Sequence, residues 1–222
     1  MGKRNHDTLS KRDPDPKSGL DSMTKYNIDM AEKKVLNDKK YGPQFEEIKN
    51  CLKRFPYNKI RDEVIYKILL IDFTNSTNLR FSFSRSNDFS VFKLAEQIIH
   101  WNIDKRIENG DPDVVDDIAQ FGNANNFSFA TKYCCYHNYH IYEKDNYSIF
   151  DKIVAKTIPQ YLDVTQKRIN ECKDKGYQEY HKLITGLIDV YDLHFDFVRR
   201  KLDYFLWYPN RKGKEDEKHF GN

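Results

Sequence analysis

No stretch of this sequence has the length and apolarity to cross a bilayer as a helix. The first residues carry no apolar signal core. Together these absences point away from a helical membrane protein and towards a chain that stays in the cytoplasm. Cysteine is scarce: Cys51, Cys134, Cys135 and Cys172 make up the set, without any Cys-x-x-Cys spacing. The expectation is reduced thiols, with neither a zinc site nor a disulfide framework. Gly-x-Ser-x-Gly, His-Glu-x-x-His, a Gly-rich nucleotide loop and internal repeats are all missing. His137 and His140 lack a third ligand at useful spacing, so no metal is expected there.

Strong charge of one sign is also lacking. The net charge is +3 over 222 residues. Residues 1–25 hold six Lys/Arg against four Asp (+2), and residues 211–222 hold four against three acidic residues (+1), so residues 26–210 sum to zero. A nucleic-acid partner would therefore have to meet a basic face balanced by an acidic one.

Aromatic residues are plentiful instead, with 15 Tyr and 15 Phe spread through helical patterns. Residues 1–25 and 211–222 are polar and read as flexible charged tails. Between them, apolar residues recur at three- and four-residue steps, which predicts an all-α fold: a single compact domain of about eight helices. Gly42-Pro43, Phe55-Pro56, Asn109-Gly110-Asp111-Pro112 and Gly122-Asn123 punctuate it. The buried-looking helix around Ile65 and Ile68 ends in Thr74-Asn75-Ser76-Thr77-Asn78, a polar cluster read as either a capped loop or a ligand-facing edge. Residues 81–88 alternate Phe and polar residues and read as a loop or edge ornament. Helices are expected over 90–101, 114–121, 128–138 and 148–160. Residues 177–207 form one long helix or two in series.

Two groups within residues 126–154 could act together. Lys132 lies one turn into a half-apolar helix, where desolvation favours an amine as nucleophile. Asp151 lies near the start of the next helix, where backbone N–H groups and the dipole favour a carboxylate. Such a pair suits imine chemistry at a sugar carbon.

Phe-Ser-Phe-Ala-Thr-Lys132 and, 19 positions on, Ile-Phe-Asp151-Lys-Ile-Val resemble the catalytic core of the helix-hairpin-helix DNA glycosylases, in particular the 8-oxoguanine DNA glycosylases. Ser128 and Ala130 stand where that family's hairpin glycines fall, and the proline before the aspartate is missing. The resemblance implies a Schiff base on Lys132, assisted by Asp151, and a phosphate-binding hairpin at Phe127, Ser128, Phe129 and Ala130. It also implies a base pocket built from Asp203, Trp207 and Tyr136. Asp203 and Trp207 share a helix face; the alternative is that Asp203 pairs with Arg199 while Trp207 closes the core. The implied activity is base excision with β-elimination, on double-stranded DNA carrying oxidised guanine or another modified base, without a cofactor. The implied setting is a nucleoid-associated monomer. The rival expectation is a non-catalytic nucleic-acid or protein-binding module on the same fold, with phage defence as one setting. The environment of the Lys132 amine distinguishes the two.

Overall fold

A computed structural model describes residues 9–77, 79, 90–123 and 125–219. The described residues form an all-α domain. In chain order the helices are α1 (Lys25–Leu36), α2 (Tyr41–Arg54), α3 (Arg61–Asn75), α4 (Val91–His100), α5 (Ile103–Asn109) and α6 (Asp113–Gln120). They continue with α7 (Phe127–Tyr142), α8 (Lys152–Thr157), α9 (Gln166–Asp174), α10 (Tyr177–Val190) and α11 (Val198–His219). The expected ornament at 81–88 lies outside the described residues.

Local chemistry sets several starts. Thr24, Ser90 and Thr165 accept from the N–H groups of Asn27, Lys93 and Arg168 at 3.2, 3.1 and 3.2 Å, each satisfying an otherwise orphaned donor. Gly110 ends α5 in the left-handed region (φ 74°), as expected of glycine there.

The centre is α7. Eleven of its residues, from Phe127 to Asn138, are buried. Its run of aromatic residues and cysteines is a poor helix former in isolation; burial on all sides decides the matter. α6 packs along it, and α2, α3 and α5 also touch it. α1, α8 and α11 form a second packed group.

Three features sharpen or depart from the sequence expectation. First, eleven α-helices are described rather than about eight. α5 spans seven residues and buries only Ile103 and Ile107, and α9 buries only Ile169. Neither offers enough apolar repeats to show a period. Second, of the two forms expected for residues 177–207, the structure has two helices in series, broken by the left-handed backbone of Asp192 (φ 54°) and Phe197 (φ 58°). Third, the tails are not free over their described parts. The Arg12 N–H donates to Tyr161 O at 2.8 Å, Asp163 N–H donates to Ser10 O at 3.0 Å, and Tyr161 OH donates to Asp21 O at 2.8 Å. Leu9 packs so closely on Gly186 that a Cβ there would lie 2.3 Å from its Cδ1. α11 runs on to His219, past Trp207. Tertiary contacts of this kind leave no local pattern in a polar segment.

One buried and two partly buried histidines give stability a pH dependence. Burial holds His137 well below the usual imidazole value, and holds His140 at about 3 and His181 at about 4. The unfolded chain takes up protons near pH 6.5 and the folded chain does not. Their contribution is therefore complete above pH 6.5 and is lost as pH falls towards the folded values. Asp145 and Asp203, raised by burial to about 6, act oppositely between pH 6 and 4. A difference measurement isolates one histidine: wild type should lose stability relative to His140→Gln as pH falls from 6.5 to 4. Parallel urea-denaturation curves at each pH check this, and a constant gap between the two proteins would refute it.

Candidate active site

Lys132 and Asp151 meet. The Lys132 Nζ donates to Asp151 Oδ2 at 3.1 Å and to Ser128 Oγ at 2.8 Å. The side chains are 6% and 18% exposed, respectively. The amine is thus held in a nearly dry setting, not projected into solvent.

Each partner is placed by its own element. Ser128 and Lys132 are one turn apart on α7, hence on one face. Asp151 is the N-cap of α8, in extended backbone, with Oδ1 accepting from Ile153 N–H at 2.7 Å. Its two oxygens have separate tasks: one caps the helix and the other holds the lysine.

The approach to Asp151 is an irregular segment, residues 143–150, fixed by side chains. Asn146 N–H donates to Asn138 Oδ1 (2.9 Å), Ser148 N–H to Tyr177 OH (2.6 Å) and Phe150 N–H to Thr131 Oγ1 (3.1 Å). Tyr180 OH donates to Ile149 O at 2.8 Å. Buried backbone groups must find partners, and here buried side chains supply them. The expected helix over 148–160 is shortened for this reason to α8 and one 3₁₀ turn at Ile158–Gln160.

The pair opens on a cavity of about 390 Å³, within the size range of small-ligand sites. Tyr41, Phe45, Phe150 and Trp207 give it aromatic walls, while Gln44 and the cluster Thr74, Asn75, Ser76 and Thr77 give it polar ones. Trp207 meets Tyr41 edge-on at 4.9 Å between ring centres. The polar cluster is thus both a helix end and a cavity wall. A larger groove of about 930 Å³, between α1, α2 and α7, holds neither Lys132 nor Asp151.

The other expected site residues divide. Trp207 reaches the cavity. Tyr136 does not line it but stands behind it, fully buried, its OH donating to Asn75 Oδ1 at 2.7 Å. Asp203 does not line the cavity, although it lies close enough to Lys132 and Asp151 to feel the charge of both. It accepts from Arg200 Nη1 at 2.7 Å, and its basic partner is therefore Arg200 rather than Arg199. Arg199 is engaged by Ser148 Oγ and Thr185 Oγ1. Asp203 and Trp207 share a helix face as spacing requires, but Arg200, three residues before Asp203, captures the carboxylate.

The residues of the expected phosphate-binding hairpin fall in the first turn of α7. Phe127 begins α7, and Phe127, Phe129 and Ala130 bury their side chains in the core. The Ala130 N–H is spent on Asn126 O at 2.9 Å. Of the four, Ser128 faces the cavity, and its hydroxyl is turned to Lys132. His137 is buried with its Nδ1 2.8 Å from Tyr133 O. No group of three or more His, Cys, Asp or Glu able to hold a metal occurs among the described residues. No helix among them is long and apolar enough to cross a membrane.

Sequence reasoning missed Tyr41, Gln44 and Phe45, which reach the cavity from α2. Their only local signal is the helical face they share with Ile48, which also lines the cavity.

Fold and geometry together define a class: an all-α protein with a buried lysine–carboxylate pair at an aromatic-walled cavity. The HI_0787_N family model, an N-terminal domain, matches residues 23–146, more than half of the chain, and the chain belongs to this family. It is 29% identical over 127 residues to an uncharacterized protein of Haemophilus influenzae strain Rd, an alignment covering 55% of this chain and 58% of that protein. The chain thus spans less than two thirds of that relative's length. No solved structure matches it. The family match includes Ser128 and Lys132 but stops short of Asp151 and Trp207.

Asp203 tests the revised assignment. It is the carboxylate partner of Arg200, whose side chain is 1% exposed. Removing one member of such a pair leaves a buried charge uncompensated and costs about 3 kcal/mol or more. Asp203→Leu should therefore lower the melting temperature markedly, while Ser76→Ala, at an exposed wall position, should leave it within about 1 °C. Equal stability of the two variants would overturn the structural role of Asp203.

Proposed function

We propose that this protein is a DNA base-excision glycosylase with associated β-elimination activity, acting on a modified base through an imine at Lys132. The observation that carries the reading is the meeting of Lys132 and Asp151 at 3.1 Å on the wall of an aromatic-lined cavity. The resemblance of residues 126–154 to the helix-hairpin-helix glycosylases supports it. In this mechanism the target base leaves the duplex and enters the cavity. Asp151 takes a proton from the Lys132 ammonium. The freed amine attacks C1′ of the deoxyribose, the C1′–N bond to the base breaks, and the base departs with its electron pair and a proton. The C1′–O4′ bond of the resulting ring-closed amine adduct then opens, with O4′ taking up a proton, to give the imine; this acidifies the C2′ hydrogen, whose loss expels the 3′ phosphate. These steps require no metal or organic cofactor. Trp207, the largest ring on the cavity wall, is the candidate to stack on the extruded base, with Gln44 on the same wall to read its edge.

The test is borohydride trapping on duplexes carrying 8-oxoguanine and a panel of other modified bases. Wild type should form a covalent adduct with at least one of them. Lys132→Gln should form none while retaining the fold, and Asp151→Asn should slow trapping about 100-fold or more. No adduct with any duplex would remove the glycosylase reading and leave the Lys132–Asp151 pair as a structural lock in a binding module.

A second measurement addresses the wall. Stacking of a base on an aromatic side chain is worth about 1–3 kcal/mol, so Trp207→Ala should weaken duplex binding or turnover about ten- to a hundred-fold. Trp207→Phe should recover most of that loss. Failure of Phe to rescue, with the melting temperature intact, would take Trp207 out of the base pocket.

A further inference from the structure

We propose that Ser128 is a positioning residue for Lys132: its hydroxyl is the second anchor that fixes where the amine points. The assignment rests on the reading of Lys132 as the reacting amine. Lysine is a point charge on a flexible four-carbon stem, and a single acceptor would leave the amine free to swing about it. Asp151 reaches Nζ from α8 and Ser128 reaches it from within α7, at 3.1 and 2.8 Å. Two anchors on different elements define a direction as well as a distance. An ammonium has three donors, so two are engaged and one remains for the cavity that Ser128, Lys132 and Asp151 all line.

The two anchors differ in kind. Asp151 can remove a proton from the amine. Ser128 cannot act as a base at neutral pH, but its oxygen still accepts an N–H after the amine is neutral. It thereby holds the nucleophile while its lone pair is exposed to the cavity. This residue stands where the resembled family carries a hairpin glycine, and a glycine there would provide no such anchor.

A probe that needs no DNA tests the assignment. Formaldehyde and cyanoborohydride dimethylate free amines: the amine adds to the aldehyde, water leaves, and the imine takes hydride from the reagent. Peptide mass spectrometry follows Lys132, with exposed Lys156 as the internal standard. Loss of an acceptor hydrogen-bonded to a charged group shifts an equilibrium by about tenfold. Ser128→Ala should therefore label at Lys132 about tenfold faster than wild type at neutral pH, with Lys156 unchanged. Ser128→Thr, which keeps the hydroxyl, should label at the wild-type rate. In DNA trapping the order should reverse, with Ser128→Ala slower by about tenfold in the bound complex at unchanged duplex affinity. Equal labelling of Ser128→Ala and wild type would overturn the assignment, as would failure of Thr to restore the rate. If wild type traps no duplex while the labelling difference stands, the glycosylase reading fails and the anchoring role survives it.

Discussion

Everything near the site follows from the burial of α7. A helix covered on all sides must satisfy each polar side chain it carries, because an unpaired buried group costs about 1–3 kcal/mol. α7 carries Thr131, Lys132, Tyr133, Tyr136, His137 and Asn138, and of their buried side-chain atoms His137 Nε2 is the exception that finds no partner. Most of their partners come from other parts of the chain. Tyr133 OH donates to Asn58 Oδ1 before α3, Tyr136 OH to Asn75 Oδ1 at its end, and Asn138 Nδ2 to Ile107 O in α5, at 2.7, 2.7 and 2.8 Å. Thr131 and Asn138 hold the segment leading to Asp151. The helix thus pins its surroundings through its own hydrogen-bonding needs, and the lysine–carboxylate contact is one case of that requirement.

A second lysine shows what the same constraint gives without a cavity. Lys67 is fully buried, with Nζ donating to Asn58 Oδ1 and to the carbonyls of Phe55 and Tyr57 at 2.6, 3.2 and 3.0 Å. Burial lowers it to about 8. All three of its donors are spent on groups that tie the α2–α3 connection, so it has no donor left for a ligand. Lys132 has two protein anchors and an adjoining cavity. The contrast is one of geometry, since both amines are desolvated.

The legible parts of the site were those written locally. Lys132 stands out as a charge in an apolar helix, and Asp151 as a carboxylate ahead of an apolar turn; both readings depend on a few neighbouring residues. The polar end of α3 was legible as a boundary, which is why Thr74 to Thr77 appeared as a candidate edge. The rest is tertiary. Nothing near Tyr41 or Gln44 says that α2 will face residues about ninety positions away. Residues 148–150 run into the apolar pattern of the next helix; only the positions of Tyr177, Tyr180 and Thr131 show why they are not part of it. Asp203 illustrates a limit of spacing arguments. Positions 203 and 207 share a face, yet so do 200 and 203, and the buried guanidinium is the stronger claimant. Among elements, the short α5 and α9 escaped because so few of their residues are buried.

The division of Asp151 between two tasks bears on how a proton would move. Its Oδ1 is committed to the Ile153 N–H, which fixes the carboxylate plane against α8. Oδ2 faces Nζ. A proton leaving the lysine would arrive on Oδ2 and leave the cap on Oδ1 intact, so the transfer would not require the helix to give up its first hydrogen bond. The carboxylate also need not rotate, and a group already in place costs no reorganisation when the charge moves. The core's charge balance fits this arrangement. Residues 26–210 sum to zero, and at the site the cation and anion face one another. Transfer of the proton neutralises both partners at once, within a setting that is nearly dry. The same burial that forces α7 to find partners therefore sets the Lys132 amine and the Asp151 carboxylate face to face.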